Sequence, residues 1–134
     1  KLKILTSITV GRVDFGGSLG ADRSFANSDE MLKYCTEIFQ KAKSKNLKTA
    51  LGGAIATEAI EFIKKLNSDK LIDKFETRKL VFHKDAIKNI NEGLPIGVKF
   101  ELLWLKSKRG YYHRVRDEDE KRIQMLEKRV KDSE

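Results

Sequence analysis

Residues 4–20 read ILTSITVGRVDFGGSLG, and this stretch decides the fold. Its first part, residues 4–15, is rich in Ile, Val, Leu and Thr, and its apolar positions do not alternate cleanly. Such a run is typical of a strand that is buried on both faces, as in a parallel sheet. The run ends in Gly16-Gly17-Ser18-Leu19-Gly20, which predicts a flexible loop directly after the strand.

The chain then alternates between helical and strand patterns. Helices are predicted over residues 27–45, over 57–66 and from Asp85 onward, and strands over 47–51 and within 71–82, most strongly near 74–81. Strand–helix–strand order with short connections is the signature of parallel βαβ units. Such units build either an open doubly wound sheet or a (β/α) barrel.

The pattern changes after residue 92. Glu92-Gly93-Leu94-Pro95 predicts the end of the third helix, because proline cannot continue a helix and glycine disfavours it. Residues 98–105 predict an apolar helical piece, Gly110-Tyr111-Tyr112 an interruption, and residues 116–131 a final charged helix. We therefore expect residues 1–92 to form the βα part, and residues 93–134 a helical extension that packs on another subunit.

The composition bounds the class of protein. The chain has 134 residues, 40% of them hydrophobic and 36% charged, which suits one domain with a real core. No apolar run approaches the length of a transmembrane helix, so no membrane partner is expected. The single cysteine, Cys35, excludes an internal disulfide and favours a reducing, cytoplasmic setting.

The net charge of +8 bears on partners. A basic chain can bind nucleic acid or another polyanion. The basic residues are spread along the whole chain rather than gathered in one arm, however, which favours a solvated surface over a nucleic-acid footprint.

Ligands of parallel α/β proteins bind at the carboxyl ends of the strands, which directs attention to Asp14. A carboxylate inside an apolar strand needs a cation or hydrogen-bond donors. Mg²⁺ would satisfy it, and so would an ion pair with Arg12, Arg23 or Arg78, or a role in capping the turn. The residues alone leave these alternatives open.

Other candidate ligand groups lie at the same edge. Arg12 and Arg78 are candidates for clamping a substrate carboxylate with two hydrogen bonds. The glycine-rich segment 16–20 could cradle a phosphate through backbone N–H groups, but a plain turn is the stronger interpretation because the segment matches no phosphate-binding motif. No His/Cys cluster predicts zinc, and Cys35 lies on the apolar stripe of its helix, as a core residue would.

Residues 8–20 resemble the strand and loop of the aldolase/citrate lyase family, within the pyruvate/phosphoenolpyruvate barrel superfamily. Gly11 and Asp14 match its Gly-x-x-Asp-Leu pattern, Phe15 replaces the usual Leu, and Leu19-Gly20 close the motif. The order of elements over residues 4–90 also fits.

The resemblance implies the last three or so βα units of a (β/α)₈ barrel with parallel strands, followed by extra C-terminal helices. It implies a lyase or aldolase that acts on a pyruvate-like oxo-acid and stabilises a metal-bound enolate. Asp14 would be a ligand of Mg²⁺ or Mn²⁺, and backbone N–H groups of Gly16, Gly17 and Ser18 would bind substrate. Arg12 stands where familiar members have a small residue or Pro, which points to a larger or anionic substrate or to a divergent branch.

The same resemblance predicts that this chain is incomplete. The family's second metal ligand, a Glu, and its catalytic Arg would both lie upstream of Lys1, and a whole barrel needs about 250 residues. We therefore expect the segment to be inactive alone, and to complete its sheet with the missing N-terminal half of the barrel or in a homo-oligomer. The rival hypotheses are a basic α/β domain that binds a polyanion and a non-catalytic assembly domain that docks through residues 98–105.

Overall fold

The computed structural model describes residues 5–131, which form a mixed α/β structure. The strands are β1 (Ser7–Gly11), β2 (Lys48–Gly52), β3 (Lys74–Glu76) and β4 (Val81–His83), and the α-helices are α1 (Arg12–Ser18), α2 (Asp29–Lys43), α3 (Ile60–Ser68) and α4 (Ile90–Lys131). Short 3-10 helices precede α2, α3 and α4, at Arg23–Asn27, Thr57–Ala59 and Lys84–Asn89. The chain divides into two compact units after Val98.

The four strands form one sheet in the order β1-β2-β3-β4. The β1–β2 and β2–β3 pairs are parallel, as the alternation of strand and helix patterns predicted, whereas β4 is antiparallel to β3. Gly11, the last residue of β1, is the register partner of Gly52, the last residue of β2. The carboxyl ends of these two strands therefore meet at one edge without side chains of their own.

One face of the sheet carries the core. Val10 pairs with Leu51 and Leu51 with Phe75, so the three side chains point to the same face. They join a single buried cluster with residues of α2, α3 and the first turns of α4, namely Met31, Cys35, Phe39, Ile60, Ile63, Leu66, Ile90 and Leu94 among others. Helices α2 and α3 thus pack on the same face, and the helices that were predicted over residues 27–45 and 57–66 are confirmed.

The side chains of one row on the other face of the sheet are polar, except for the small side chain of Ala50. Thr9, Ala50, Lys74 and His83 occupy one row across the four strands, and none of them belongs to the core cluster. Within residues 5–131, the two helices α2 and α3 thus lie on the core face, whereas a doubly wound sheet carries helices on both faces.

The first strand is shorter than its sequence predicted. β1 ends at Gly11, and residues 12–18 form α1 rather than a continued strand and a loop. The glycine-rich segment therefore ends a helix: Leu19 and Ala21 both donate backbone N–H groups to the carbonyl of Gly16. Gly20 then leaves the helix with a φ of 76°, a value that glycine adopts without strain.

The predicted third strand within residues 71–82 is present but shorter than expected, because β3 covers only Lys74–Glu76 and the segment then turns back as a hairpin. Thr77 donates its N–H to the carbonyl of Leu80, and its hydroxyl accepts the N–H groups of Lys79 and Leu80. A threonine that offers its side chain to nearby backbone donors favours a turn over a continuing strand. The result is the antiparallel strand β4.

The predicted break at residues 92–95 was also wrong, since α4 continues from Ile90 to Lys131 through Pro95 and Gly110. Proline removes one N–H, which here would have bonded to the carbonyl of Asn91. Both Asn91 and Pro95 are exposed, so water can satisfy that carbonyl. No helix within residues 5–131 is both long enough and apolar enough to cross a membrane.

Candidate functional site at the carboxyl edge of the parallel strands

Two carboxylates lie over the paired glycines that end β1 and β2. A Cβ atom on Gly11 would come within 3.1 Å of Asp14 Oδ2, and one on Gly52 would come within 3.6 Å of Glu76 Cγ and 3.8 Å of Glu76 Oε1. Because the two glycines are register partners, both positions project from the same face of the sheet. The absence of side chains on Gly11 and Gly52 thus makes room for Asp14 and Glu76 at this edge.

Asp14 is exposed and lies in the first turn of α1, so the prediction of a carboxylate inside a strand was wrong. Within the described residues it makes no hydrogen bond and no ion pair, and the alternatives of pairing with Arg12, Arg23 or Arg78 are not realised. A carboxylate is favourable in the first turn of a helix because the N-terminal end of the helix dipole is positive.

Glu76 ends β3 and is half-buried, with Oε2 3.7 Å from Nζ of Lys74 on the same face of the strand. Glu76 was not among the candidate ligand residues that the sequence suggested. The signal that could have identified it is the glycine pair at the end of β2, which leaves open the space that a long side chain on the next strand can occupy.

Arg12 is the most deeply buried charged residue of this edge, with 0% of its surface exposed. It is the first residue of α1, and its side chain passes beneath the loop that follows β2. All five guanidinium N–H groups donate to acceptors within the protein. These acceptors are the carbonyls of Gly52 (3.4 Å), Ala26 (3.0 Å), Gly53 (2.7 Å) and Ala54 (3.0 Å) and Oδ1 of Asn27 (2.7 Å).

The environment of Arg12 is largely apolar. The guanidinium carbon lies 4.5 Å from the centre of the Phe62 ring, a favourable cation–π distance. Burial lowers the pKa of Arg12 to about 10, which leaves the side chain charged at neutral pH. Since every donor is used, a role for Arg12 in binding substrate stays a prediction that would require these bonds to be exchanged.

The loop after β2 has the backbone that Arg12 requires. Gly53 and Ala54 have φ values of 74° and 52°, which turn their carbonyls toward the guanidinium. A Cβ on Gly53 would lie 2.8 Å from the backbone nitrogens of Arg12 and Val13, so only glycine allows the loop to approach the start of α1 this closely.

Cys35 is fully buried in α2, which confirms the prediction that it is a core residue. Burial raises the pKa of its thiol to about 11, although the nearby charge of Arg12 acts in the opposite direction. The thiol is therefore protonated at neutral pH and is not a nucleophile in this state.

The other predicted ligand residues lie in α1 and in the turn of the hairpin. Gly16, Gly17 and Ser18 form the last turn of α1; Gly16 is buried against Phe25, and Ser18 donates its hydroxyl to the carbonyl of Phe15. Arg78 is exposed in the turn between β3 and β4. The substrate-binding roles of these four residues stay predictions.

The residues that the structure describes contain no group of three or more His, Cys, Asp or Glu side chains that could hold a metal ion. No protein-family model matches the chain, and no curated protein or solved structure is significantly similar to it.

Proposed function

We propose that this chain is part of a (β/α) barrel that acts as a metal-dependent carbon–carbon lyase or aldolase on a pyruvate-like oxo-acid. The observation that carries the proposal is the placement of two carboxylates over the paired glycines Gly11 and Gly52 at the carboxyl ends of parallel strands. This is the end of a parallel sheet at which α/β enzymes bind their ligands.

The barrel part of the proposal is supported by the one-sided packing of the helices. In a (β/α) barrel all helices cover the outer face of the sheet, and the inner face carries other side chains. Here α2 and α3 cover one face, while Thr9, Ala50 and Lys74 of the three parallel strands lie on the other. We assign that second face to the barrel interior.

The residues at this edge fit a divalent cation such as Mg²⁺ or Mn²⁺. Mg²⁺ is usually bound by one or two carboxylates together with substrate oxygens and water. Asp14 would hold the cation, since it is exposed and has no cationic partner among the described residues. Glu76 would be the second carboxylate at the same edge and would exchange its contact with Lys74 Nζ (3.7 Å) for the cation. A bound cation supplies Lewis-acid stabilisation to the enolate of an oxo-acid.

The protein's own residues organise the edge for this chemistry. Gly11 and Gly52 leave the space above the strand ends open. Arg12 acts as a positioning residue, because it ties the end of β2 and the loop that follows it to the start of α1, which carries Asp14. The substrate would enter from the open side of the edge, on which Asp14 is exposed.

The test is Mn²⁺ binding to the whole chain, measured by electron paramagnetic resonance of the free ion. Asp14→Asn should weaken Mn²⁺ affinity about tenfold or more because it removes a charged ligand, and Glu76→Gln should weaken it less. Asp69→Asn, at an exposed carboxylate beyond the end of α3, is the matched control and should leave the affinity unchanged. Equal affinity of the wild-type protein and Asp14→Asn would reject the proposal and favour a binding domain without catalytic activity.

A further inference from the structure

The second compact unit is a helix with no apolar core of its own. In residues 99–131 no side chain is buried, and large apolar residues are exposed along the whole length. Six of them recur at regular spacing along the helix, with the exposed fraction of each residue in parentheses: Leu102 (49%), Leu105 (48%), Tyr112 (57%), Ile123 (49%), Leu126 (46%) and Val130 (60%). Most helical stability in proteins comes from packing of an apolar face, so this helix requires a surface to pack on.

These six residues fall on a heptad repeat, whereas the exposed Phe100, Leu103, Tyr111, Val115 and Met125 lie outside it. One set of positions contains Leu102, Arg109, Arg116, Ile123 and Val130, and the second set contains Leu105, Tyr112, Asp119 and Leu126. Spacings of three and four residues that alternate in this way place all nine side chains on one seam, which is the geometry of a left-handed coiled coil. The seam is apolar at both ends and charged in the middle.

We propose that the seam is covered by the same helix of a second copy of this chain, which runs antiparallel so that Arg116 lies opposite Asp119 of the partner subunit. Two-fold symmetry repeats this pair, because Asp119 then lies opposite Arg116 of the partner subunit. A parallel pair in register would instead place Arg116 against Arg116 and Asp119 against Asp119, which is repulsive at both positions.

The same register places most of the remaining apolar seam residues opposite apolar residues of the partner subunit. Tyr112 lies opposite Ile123 of the partner subunit, and Leu105 lies opposite Val130 of the partner subunit. Apolar residues therefore cover each other toward both ends. Arg109 lies opposite Leu126 of the partner subunit and can extend its charged end to water while its stem packs on the leucine.

The positions that flank the seam are complementary on one of its two sides. On one side Lys106 lies against Glu127 of the partner subunit, and His113 lies against Glu120 of the partner subunit. On the other side Lys108 and Arg129 of the partner subunit are alike in charge, but both positions are exposed and can stay solvated. Charge complementarity of this kind selects the orientation of paired helices.

The first experiment measures self-association of the whole chain by sedimentation equilibrium over roughly 1 to 100 µM, the range in which a modest interface dissociates. Arg116→Asp should weaken the dimer about tenfold or more, because it places two aspartates against each other twice. The double variant Arg116→Asp with Asp119→Arg should restore the affinity to within about threefold of wild type, because it exchanges the charges within the pair.

Arg114→Asp is the matched control, since it makes the same charge change on the side of the helix away from the seam and should leave dimerisation intact. A monomer over the whole concentration range would overturn the proposal. A dimer that Arg116→Asp does not weaken, or that the double variant does not restore, would overturn the antiparallel register. Circular dichroism of each variant separates loss of pairing from loss of folding.

A second experiment reads the orientation directly. Leu105→Cys and Val130→Cys are made as separate proteins, oxidised alone and then oxidised as a mixture. The antiparallel register predicts a disulfide between the two different variants only, identified by intact mass, because neither position lies opposite itself. A disulfide that joins two copies of the same variant would overturn the proposal. Cys35 does not interfere because it is fully buried.

Discussion

At the scale of single residues, the carboxyl edge depends on one buried cation. Arg12 carries its charge into the protein without a carboxylate partner and is satisfied by four backbone carbonyls and one amide oxygen. A buried charge is costly unless it is fully hydrogen-bonded, and an acceptor left without its donor is costly as well. The side chain and the loops around it are therefore mutually dependent.

We predict that Arg12→Lys destabilises the protein by about 2 to 4 kcal/mol, because an ammonium group cannot reach acceptors arranged around a planar guanidinium. The measurement is the free energy of unfolding in urea. Arg23→Lys, the same change at an exposed position, should alter it by less than about 0.5 kcal/mol. Equal stability of the two variants would contradict the structural role of Arg12.

Asp73 lies at the opposite end of the strands. Its hydrogen bonds lead us to expect that the stability of the folded protein falls at low pH. Partial burial alone would raise the pKa of Asp73, but hydrogen bonds from Lys43 Nζ (2.5 Å) and the Thr49 N–H (2.7 Å), together with the charge of Lys43, hold it below its ordinary value. A lowered pKa in the folded state means that the stabilisation is complete above the unfolded value of about 3.9 and is lost as the pH falls through the folded value.

Asp73→Asn should therefore cost about 1 to 2 kcal/mol at pH 7, and the difference from wild type should shrink as the pH falls below about 4. Chemical unfolding at several pH values measures it. Lys43→Ala and the double variant complete a double-mutant cycle. The losses in unfolding free energy of the two single variants should not add in the double variant, since both changes break the same interaction. A difference that persists unchanged at acid pH would show that Asp73 does not act through its charge.

The limits of the sequence at this scale are visible in Arg12 and Asp14. The residues at the carboxyl edge could be predicted from the sequence because they lie at strand ends next to glycines, and the family resemblance indicated Asp14. Their environments could not be found, since an arginine after a strand has the same sequence signature whether it faces solvent or five protein acceptors. Burial of Arg12 depends on Asn27 and on the carbonyls of residues 52–54, which are distant in sequence.

At the scale of elements, the first turns of α4 pack against the hairpin so closely that one glycine is required. A Cβ on Gly97 would lie 2.5 Å from Phe82 Cζ and 3.1 Å from Leu80 Cδ1. The Phe82 ring stacks on Phe75, with 5.0 Å between ring centres, so it cannot move aside without disturbing the core.

Gly97→Ala should therefore destabilise the protein by about 1 to 2 kcal/mol, since overpacking outweighs the better helix propensity of alanine. Gly93→Ala lies one turn earlier in α4 with nothing within 4 Å of the new methyl group, and it should stabilise by up to about 1 kcal/mol. Thermal unfolding of both variants gives the comparison, and two shifts of the same sign would contradict the packing argument.

Elements with an apolar stripe were predictable, and their ends were less so. Helices α2 and α3 follow from spacing alone, because their buried residues recur at helical intervals. The hairpin at residues 74–83 was missed because its turn contains neither Gly nor Pro and is made by the side chain of Thr77. The continuity of α4 was missed because propensity counts against Gly93 and Pro95, whereas neighbouring packing at Leu94 and Gly97 outweighs it.

At the scale of the whole molecule, the two compact units differ in what holds them together. Residues up to Val98 enclose a core shared by strands and helices, whereas no residue of 99–131 is fully buried. If a second copy covers that helix, the stability of the helix follows mass action and rises with protein concentration. The stability of the first unit does not depend on concentration in this way.

Hydrogen exchange of the whole chain at two concentrations, one above and one below the dissociation constant, tests this difference. Amides of residues 99–131 should exchange faster in the dilute sample, because the uncovered helix opens more often. Amides of β2 and α3 should exchange at the same rate in both samples, and they serve as the internal control. Protection of residues 99–131 that does not change with concentration would mean that the helix is stable alone, and its exposed apolar residues would then need an explanation other than pairing.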